Sequence, residues 1–173
     1  MKKVTTVYWL LPAKPERELF CEIVQILRQE FRAPNFEPHL TLFSTAKDRQ
    51  SPKKVLQQIS MRPIQLTTNG AGFSSEFTKT LFVRFKSSDA LRKLVAEFGR
   101  AAKSRAKASS DPHVSLLYKK LPPAAKKELA AVMKLPFRSV VFDSIAAVRC
   151  ASPSRTKADV DAWKILAKKS LRQ

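Results

Sequence analysis

Three glycines in 173 residues leave no room for a glycine-rich phosphate loop, because a P-loop or a dinucleotide fingerprint needs several glycines within one short turn. Any phosphate bound by this chain must be held by side chains. Cysteine is scarcer still. Cys21 and Cys150 cannot make a disulfide framework, and each falls in an apolar pattern that reads as a small core residue rather than a nucleophile; a bond between the two stays open. Histidine occurs twice, and with no clustered cysteines or carboxylates the ligand spacing of a metal site is missing. No metal and no other cofactor is expected. Nor does any apolar run approach the ~20 residues that cross a bilayer. The opening Met1-Lys2-Lys3 and the apolar residues after it superficially resemble a secretion signal, but the run is short and no small-residue cleavage site follows. A cytoplasmic monomer without membrane contact is the expectation.

Acidic residues are also few, 14 against 33 lysines and arginines, for a formal charge of +19. Such a field concentrates polyanions, and binding driven by it weakens as salt rises. RNA is a candidate partner on this ground. A solvated basic surface is the alternative, since neither an RGG tract nor an aromatic RNP signature is present.

What the chain does contain is a repeated phrase. Both histidines stand in it: Pro38-His39-Leu40-Thr41-Leu42 and Pro112-His113-Val114-Ser115-Leu116. Side chains alternate between the faces of a strand, so His39 and Thr41 share one face and Leu40 and Leu42 the other. His113 and Ser115 do the same. Residues two apart on a strand lie roughly 6.6 Å apart, close enough for one phosphate to touch both imidazole and hydroxyl. The apolar face goes to the core. Two imidazoles can act as an acid and base pair without a metal, since their reference pKa is about 6.5. Phe43 shares the His39 face and either borders the site or is buried.

The surrounding pattern alternates strands with helices. Residues 4–11 read as a strand and 16–31 as an amphipathic helix with Leu19, Ile23, Ile26 and Leu27 on one side. The first motif occupies a strand over 37–44. A helix opens at Ser51-Pro52, with serine as cap and proline in the first turn, and carries Val55, Leu56 and Ile59. Residues 64–68 and 81–85 are strands, and Asn69-Gly70-Ala71-Gly72 between them reads as a turn or loop. A helix over 88–107 leads to the second motif strand, 113–118. A helix over 122–134, a strand over 136–149 and a loop at 152–155 follow. Residues 161–171 fit a helix or a final strand, with the alternation of Trp163, Ile165 and Ala167 favouring the strand. One α+β domain over residues 1–173 is expected, bilobed and pseudo-symmetric, with antiparallel sheets lining a central cleft and helices outside.

On these motifs the chain resembles the two-histidine (2H) phosphoesterase superfamily, and within it the LigT-like cyclic phosphodiesterase group. Supporting phrases are Tyr8-Trp9-Leu10-Leu11-Pro12, Phe36-Glu37-Pro38 before the first histidine, and Tyr118 five residues after the second. The resemblance implies metal-independent opening of nucleoside 2′,3′-cyclic phosphates to 2′-phosphates, or of ADP-ribose 1″,2″-cyclic phosphate. It implies that His39 and His113 are catalytic, that Thr41 and Ser115 hold the phosphate oxygens, and that Trp9 and Tyr118 meet the substrate's base or wall the cleft. Core packing is the alternative for both aromatics. By family analogy His39 is the acid and His113 the base, although the near symmetry of the motifs leaves this undecided in the sequence. RNA-end processing, on 2′,3′-cyclic ends or 2′-5′ linkages, is the competing activity, and a non-catalytic RNA-binding module is the competing class. Residues 100–107 with Lys119 and Lys120 would extend a surface for longer RNA or form a solvated face.

Overall fold

A computed structural model describes residues 2–45, 49–105 and 109–171. The chain runs β1 (Lys3–Pro12), α1 (Glu16–Phe31), β2 (Leu40–Thr45), α2 (Pro52–Gln58), β3 (Ile64–Phe73), a 3-10 turn (Phe77–Lys79), β4 (Leu81–Phe85), α3 (Asp89–Ala101), β5 (His113–Leu117), α4 (Pro123–Val132), β6 (Ser139–Ser152), α5 (Lys157–Asp161) and β7 (Lys164–Ser170). The units β1-α1-β2 and β4-α3-β5 repeat one another, and each delivers a motif histidine at the head of its last strand. The fold is α+β, as expected.

All pairings are antiparallel. The order β1-β2-β5-β4-β3-β6-β7 closes on itself through a β1–β6 pairing, so six strands form a circuit and β7 is attached outside it. The two lobes are therefore not separate sheets. One long strand, β6, serves both: Ser139–Phe142 pairs with β3, and Phe142–Ser152 pairs with β1. Across the circuit the lobes meet where Leu40 pairs with Val114, the one register pair between β2 and β5. That junction places the two motifs next to each other.

Burial explains β1. Tyr8 and Leu10 face the main core, whereas Trp9 and Leu11 join a second cluster with Ala146, Val148 and Cys150. A strand covered on both faces is apolar on both, hence the run Tyr8-Trp9-Leu10-Leu11. Local signals set the helix starts. Ser51 accepts from the Lys54 N–H at 3.3 Å with Pro52 in the first turn, and Ser88 accepts from Leu91 N–H at 3.1 Å, caps worth about 1 kcal/mol each.

Several expectations are corrected. The buried stripe of α1 is Phe20, Val24 and Leu27; Leu19 and Ile23 are only half-buried, and Ile26 is 65% exposed. Apolar residues at 19, 20, 23, 24, 26 and 27 allow either phase, and packing selects the one that buries phenylalanine. Cys21 consequently lies exposed on the outer side; Cys150 is buried, and both are free thiols. The glycine segment is part of β3, which continues to Phe73 with a register break between Thr68 and Ala71 where Gly70 takes φ +79°, a backbone that other residues adopt reluctantly. The third long helix stops at Ala101; Ala106 and Lys107, expected at its end, lie outside the described residues. β6 runs on to Ser152, past the expected end at 149. The chain's last element is the strand β7. α5 was not foreseen, although Thr156-x-x-Asp159 closes a capping box there.

Candidate active site

β2 and β5 share a backbone irregularity. Opposite β1, Trp9 pairs with Thr41 but Tyr8 pairs with Phe43, so Leu42 is an extra residue. Opposite β4, Phe82 pairs with Ser115 but Leu81 pairs with Leu117, so Leu116 is extra. Each bulge follows the motif hydroxyl and resets the alternation. Phe43 is thereby turned away from the His39 face into the core, where it stacks on Tyr8 at 5.0 Å. Ser44 takes its place beside the cleft, and in the second lobe Tyr118 does the same. His39, expected within the strand, immediately precedes β2; His113 is the first residue of β5.

The structure brings all six expected residues, His39, Thr41, His113, Ser115, Trp9 and Tyr118, to one cleft of about 370 Å³, a volume in the range of small-ligand sites. Both imidazoles are anchored alike. His39 Nδ1 lies 2.6 Å from the Glu37 carbonyl oxygen, and His113 Nδ1 lies 2.8 Å from that of Asp111. A carbonyl can only accept, so Nδ1 carries the proton and Nε2 of the neutral ring has a free lone pair. The carbonyl-bearing residues are themselves fixed: Glu37 by Arg17 and Lys168, Asp111 by Lys79 and Arg84. The sequence shows an acidic residue and a proline before each histidine, which is the signal for this support.

The two rings differ in surroundings. His39 is buried and stacked on Trp9, with centroids 3.7 Å apart and planes within 10°. Burial, helped by charge on His113, pulls its pKa to about 4 against the opposing effect of the Glu37 carbonyl. His113 is partly exposed and 5.2 Å from the Phe82 ring. Burial lowers its pKa too, the Asp111 carbonyl raises it, Lys79 lowers it, and the Asp111 and Glu76 carboxylates raise it. Both rings are therefore neutral near pH 7, and carboxylates favour a proton only on His113.

The hydroxyls also differ. Thr41 is exposed to the cleft. Ser115 is buried, and its hydroxyl donates to the Thr78 carbonyl at 2.9 Å. Beside it Tyr118 is buried and its phenol is pushed up by burial, so it stays protonated.

Several lining residues were missed in the sequence. Trp163, there read as a strand residue, sits just before β7 and stands edge-on to Trp9, His39 and Tyr118 at 5.5, 6.1 and 5.8 Å. Its indole N–H donates to Ser154 at 3.0 Å. It is half-buried, whereas Trp9 and Tyr118 are 3% and 2% exposed; Tyr118 is further covered by Phe36, stacked at 3.7 Å. Lys79 and Glu76 come from the segment around the 3-10 turn, which nothing in a one-turn sequence marks. Cys150 lines the cleft as well, its thiol pushed up to about 12 by burial. Among the described residues no group of three or more His, Cys, Asp or Glu side chains could hold a metal ion. None of their helices is long and apolar enough to cross a membrane. Arg49, Arg100, Lys103 and Arg105 line a different, shallow pocket at the end of α3; Lys107 is outside the described residues.

A family model described as the 2′-5′ RNA ligase superfamily matches residues 15–152. Among solved structures the chain is similar to Escherichia coli LigT complexed with ATP (16% identity, TM-score 0.55, covering 100% of both chains) and with 3′-AMP (16%, 0.56, 100% of both). It is likewise similar to the TT0787 protein of Thermus thermophilus (18%, 0.57, covering 97% of this chain and 98% of that one). At these identities the likeness shows the fold. No curated protein matches the chain by sequence.

Proposed function

Since the chain belongs to the 2′-5′ RNA ligase superfamily of two-histidine phosphoesterases, we propose that its cleft opens cyclic phosphodiesters of nucleotides, namely nucleoside 2′,3′-cyclic phosphates or ADP-ribose 1″,2″-cyclic phosphate, by acid–base chemistry on two imidazoles. The observation that carries this reading is the matched anchoring of His39 and His113, each fixed through Nδ1 with Nε2 left for the reaction. LigT, of the same fold, has been solved with ATP and with 3′-AMP, which makes a nucleotide the ligand class of choice.

In the hydrolytic step one neutral imidazole takes a proton from water as the water oxygen bonds to phosphorus. The opposite bond, to the 3′ or 2″ oxygen, breaks, and the second imidazole, protonated, gives its proton to that oxygen. The phosphate stays on the 2′ or 1″ oxygen. The negative substrate itself raises the pKa of the imidazole that must arrive charged. Thr41 donates to a non-bridging oxygen, where charge builds in the transition state. Trp163 offers the accessible aromatic face on which a base stacks, with Trp9 and Tyr118 as the wall behind it. Family analogy gives the acid to His39, but Asp111 and Glu76 favour a proton on His113. A substrate with an activated phenolate leaving group decides between them, because it restores turnover to the variant lacking the acid and not to the one lacking the base.

Rates on a mononucleotide 2′,3′-cyclic phosphate, an ADP-ribose cyclic phosphate and an RNA with a cyclic end, at low and moderate salt, test the substrate class. Small cyclic nucleotides are expected to be preferred, and turnover is expected to survive a strong chelator. The basic pocket of Arg49, Arg100, Lys103 and Arg105 favours the second reading, an RNA-end phosphodiesterase. Strong preference for the RNA would make that the activity.

A further inference from the structure

The two lobes supply phosphate ligands unequally. In the first, the Thr41 hydroxyl faces the cleft. In the second, the equivalent Ser115 hydroxyl is already engaged, donating to the Thr78 carbonyl and hydrogen-bonded to the Tyr118 phenol, so the motif's symmetry does not extend to two free donors. The bond instead ties β5 to the 3-10 turn Phe77–Lys79, whose last residue brings an ammonium to the cleft wall.

Lys79 is the one lysine or arginine among the described residues lining the cleft, and Glu76 the one carboxylate. The cleft is therefore not a uniformly positive funnel, and the position of its single long cation decides where an anion rests. That cation is held in place from several sides. Its Nζ donates to Asp111 at 2.7 Å and lies 4.8 Å above the Phe82 ring. Ser74 donates to the Lys79 carbonyl at 2.6 Å, and buried Lys126 donates to the Ser74 carbonyl at 2.9 Å. The Thr80 hydroxyl donates to the Lys119 carbonyl and accepts from the Lys119 N–H. An ammonium has three N–H donors, so the bond to Asp111 leaves two. Arg84 shares the same carboxylate at 3.3 Å, so the Asp111 charge is divided between two cations.

We infer that Lys79 binds a non-bridging phosphate oxygen on the His113 side of the cleft, and that Ser115 also acts as a positioning residue, holding the turn that presents Lys79. This deepens the reading of the cleft as a phosphodiesterase site and rests on it. With Thr41 on one side and Lys79 on the other, the phosphate is gripped by hydroxyl and charge together. The arrangement selects anionic phosphorus centres over neutral ones and adds charge stabilisation as the phosphorane forms.

The two histidines provide a measurement that does not depend on turnover, since the imidazole spectrum arises from only two rings. Inorganic phosphate titrated against the whole chain is followed on both. K79M is expected to weaken phosphate binding about ten- to hundredfold, the range of a charge-assisted hydrogen bond, and K79R to recover most of it. K120M removes the same charge from an exposed site just past β5 and is expected to shift binding about twofold through the general field. Because Ser115 acts through Lys79, the loss in S115A is expected to shrink when K79M is already present. Equal phosphate affinity in K79M and K120M, with native near-UV dichroism in both, would overturn the role of Lys79. An S115A loss undiminished beside K79M would return that hydroxyl to the phosphate and overturn its positioning role. Phosphate binding that depends on Lys79 in a chain inert towards every cyclic phosphate would instead count against the proposed reaction while upholding the binding residue.

Discussion

Burial of His39 against Trp9 makes the folded protein prefer the neutral ring, with a pKa of about 4 against the ordinary 6.5. Between those values the unfolded chain binds the additional proton, so stability rises with pH across that window and is lost as pH falls from 6.5 towards 4. At 1.36 kcal/mol per unit the loss reaches about 3 kcal/mol, and the lowered pKa of His113 acts in the same direction. Urea midpoints measured from pH 7 to pH 4 are expected to fall steeply in the wild type and less steeply in H39Q; equal slopes would assign the acid sensitivity to other groups. The proposed activity depends on the same rings. H39A and H113A are each expected to lose about 10²- to 10⁴-fold in kcat, and unimpaired turnover in either variant would remove the acid–base reading. These two residues were legible because a strand's alternation sets His beside Ser or Thr. The difference between their environments was not, because it arises from a tryptophan thirty positions away in one lobe and a lysine turn in the other.

At the scale of elements, the bulges at Leu42 and Leu116 shape the site as much as the motif does. Alternation alone would aim Phe43 into the cleft. One extra residue sends it to the core and brings Ser44 and Tyr118 forward, and two consecutive apolar residues after the hydroxyl are the only trace of this in the sequence. The glycine segment shows a similar limit: Asn69-Gly70-Ala71-Gly72 reads as a turn, yet Gly72 is a strand residue whose missing side chain admits the Phe82 ring. A Cβ there would stand 2.8 Å from Phe82 Cε2, and Phe82 in turn borders His113. Gly72→Ala is thus expected to cost about 1–3 kcal/mol of stability, as overpacking does, and to lower kcat as well. Thermal melts and turnover check it, and a variant with wild-type values in both would show that the ring has room to move.

Over the whole molecule the +19 charge acts on every anionic substrate, but most on long ones. The kcat/KM for an RNA carrying a cyclic end is expected to fall more steeply with salt than that for a mononucleotide, since more counterions are released per strand bound; parallel slopes would confine recognition to the cleft. The order of strands and of the four longer helices was readable along the chain, with ends misplaced by a few residues and α5 unforeseen. The closed circuit was not, because nothing in an apolar run over 136–149 states that one strand will take β3, β1 and β7 as partners. That circuit has a consequence during synthesis. β1 leaves the ribosome long before β6, and the edge the two share waits for residues 142–152. Until then Trp9 lacks Ala146, Val148 and Cys150 behind it, and the stack that holds His39 has no backing. A nascent chain stalled before β6 should therefore carry both histidines, exposed and titrating near 6.5, without a working cleft, and gain its chemistry only once β6 has emerged.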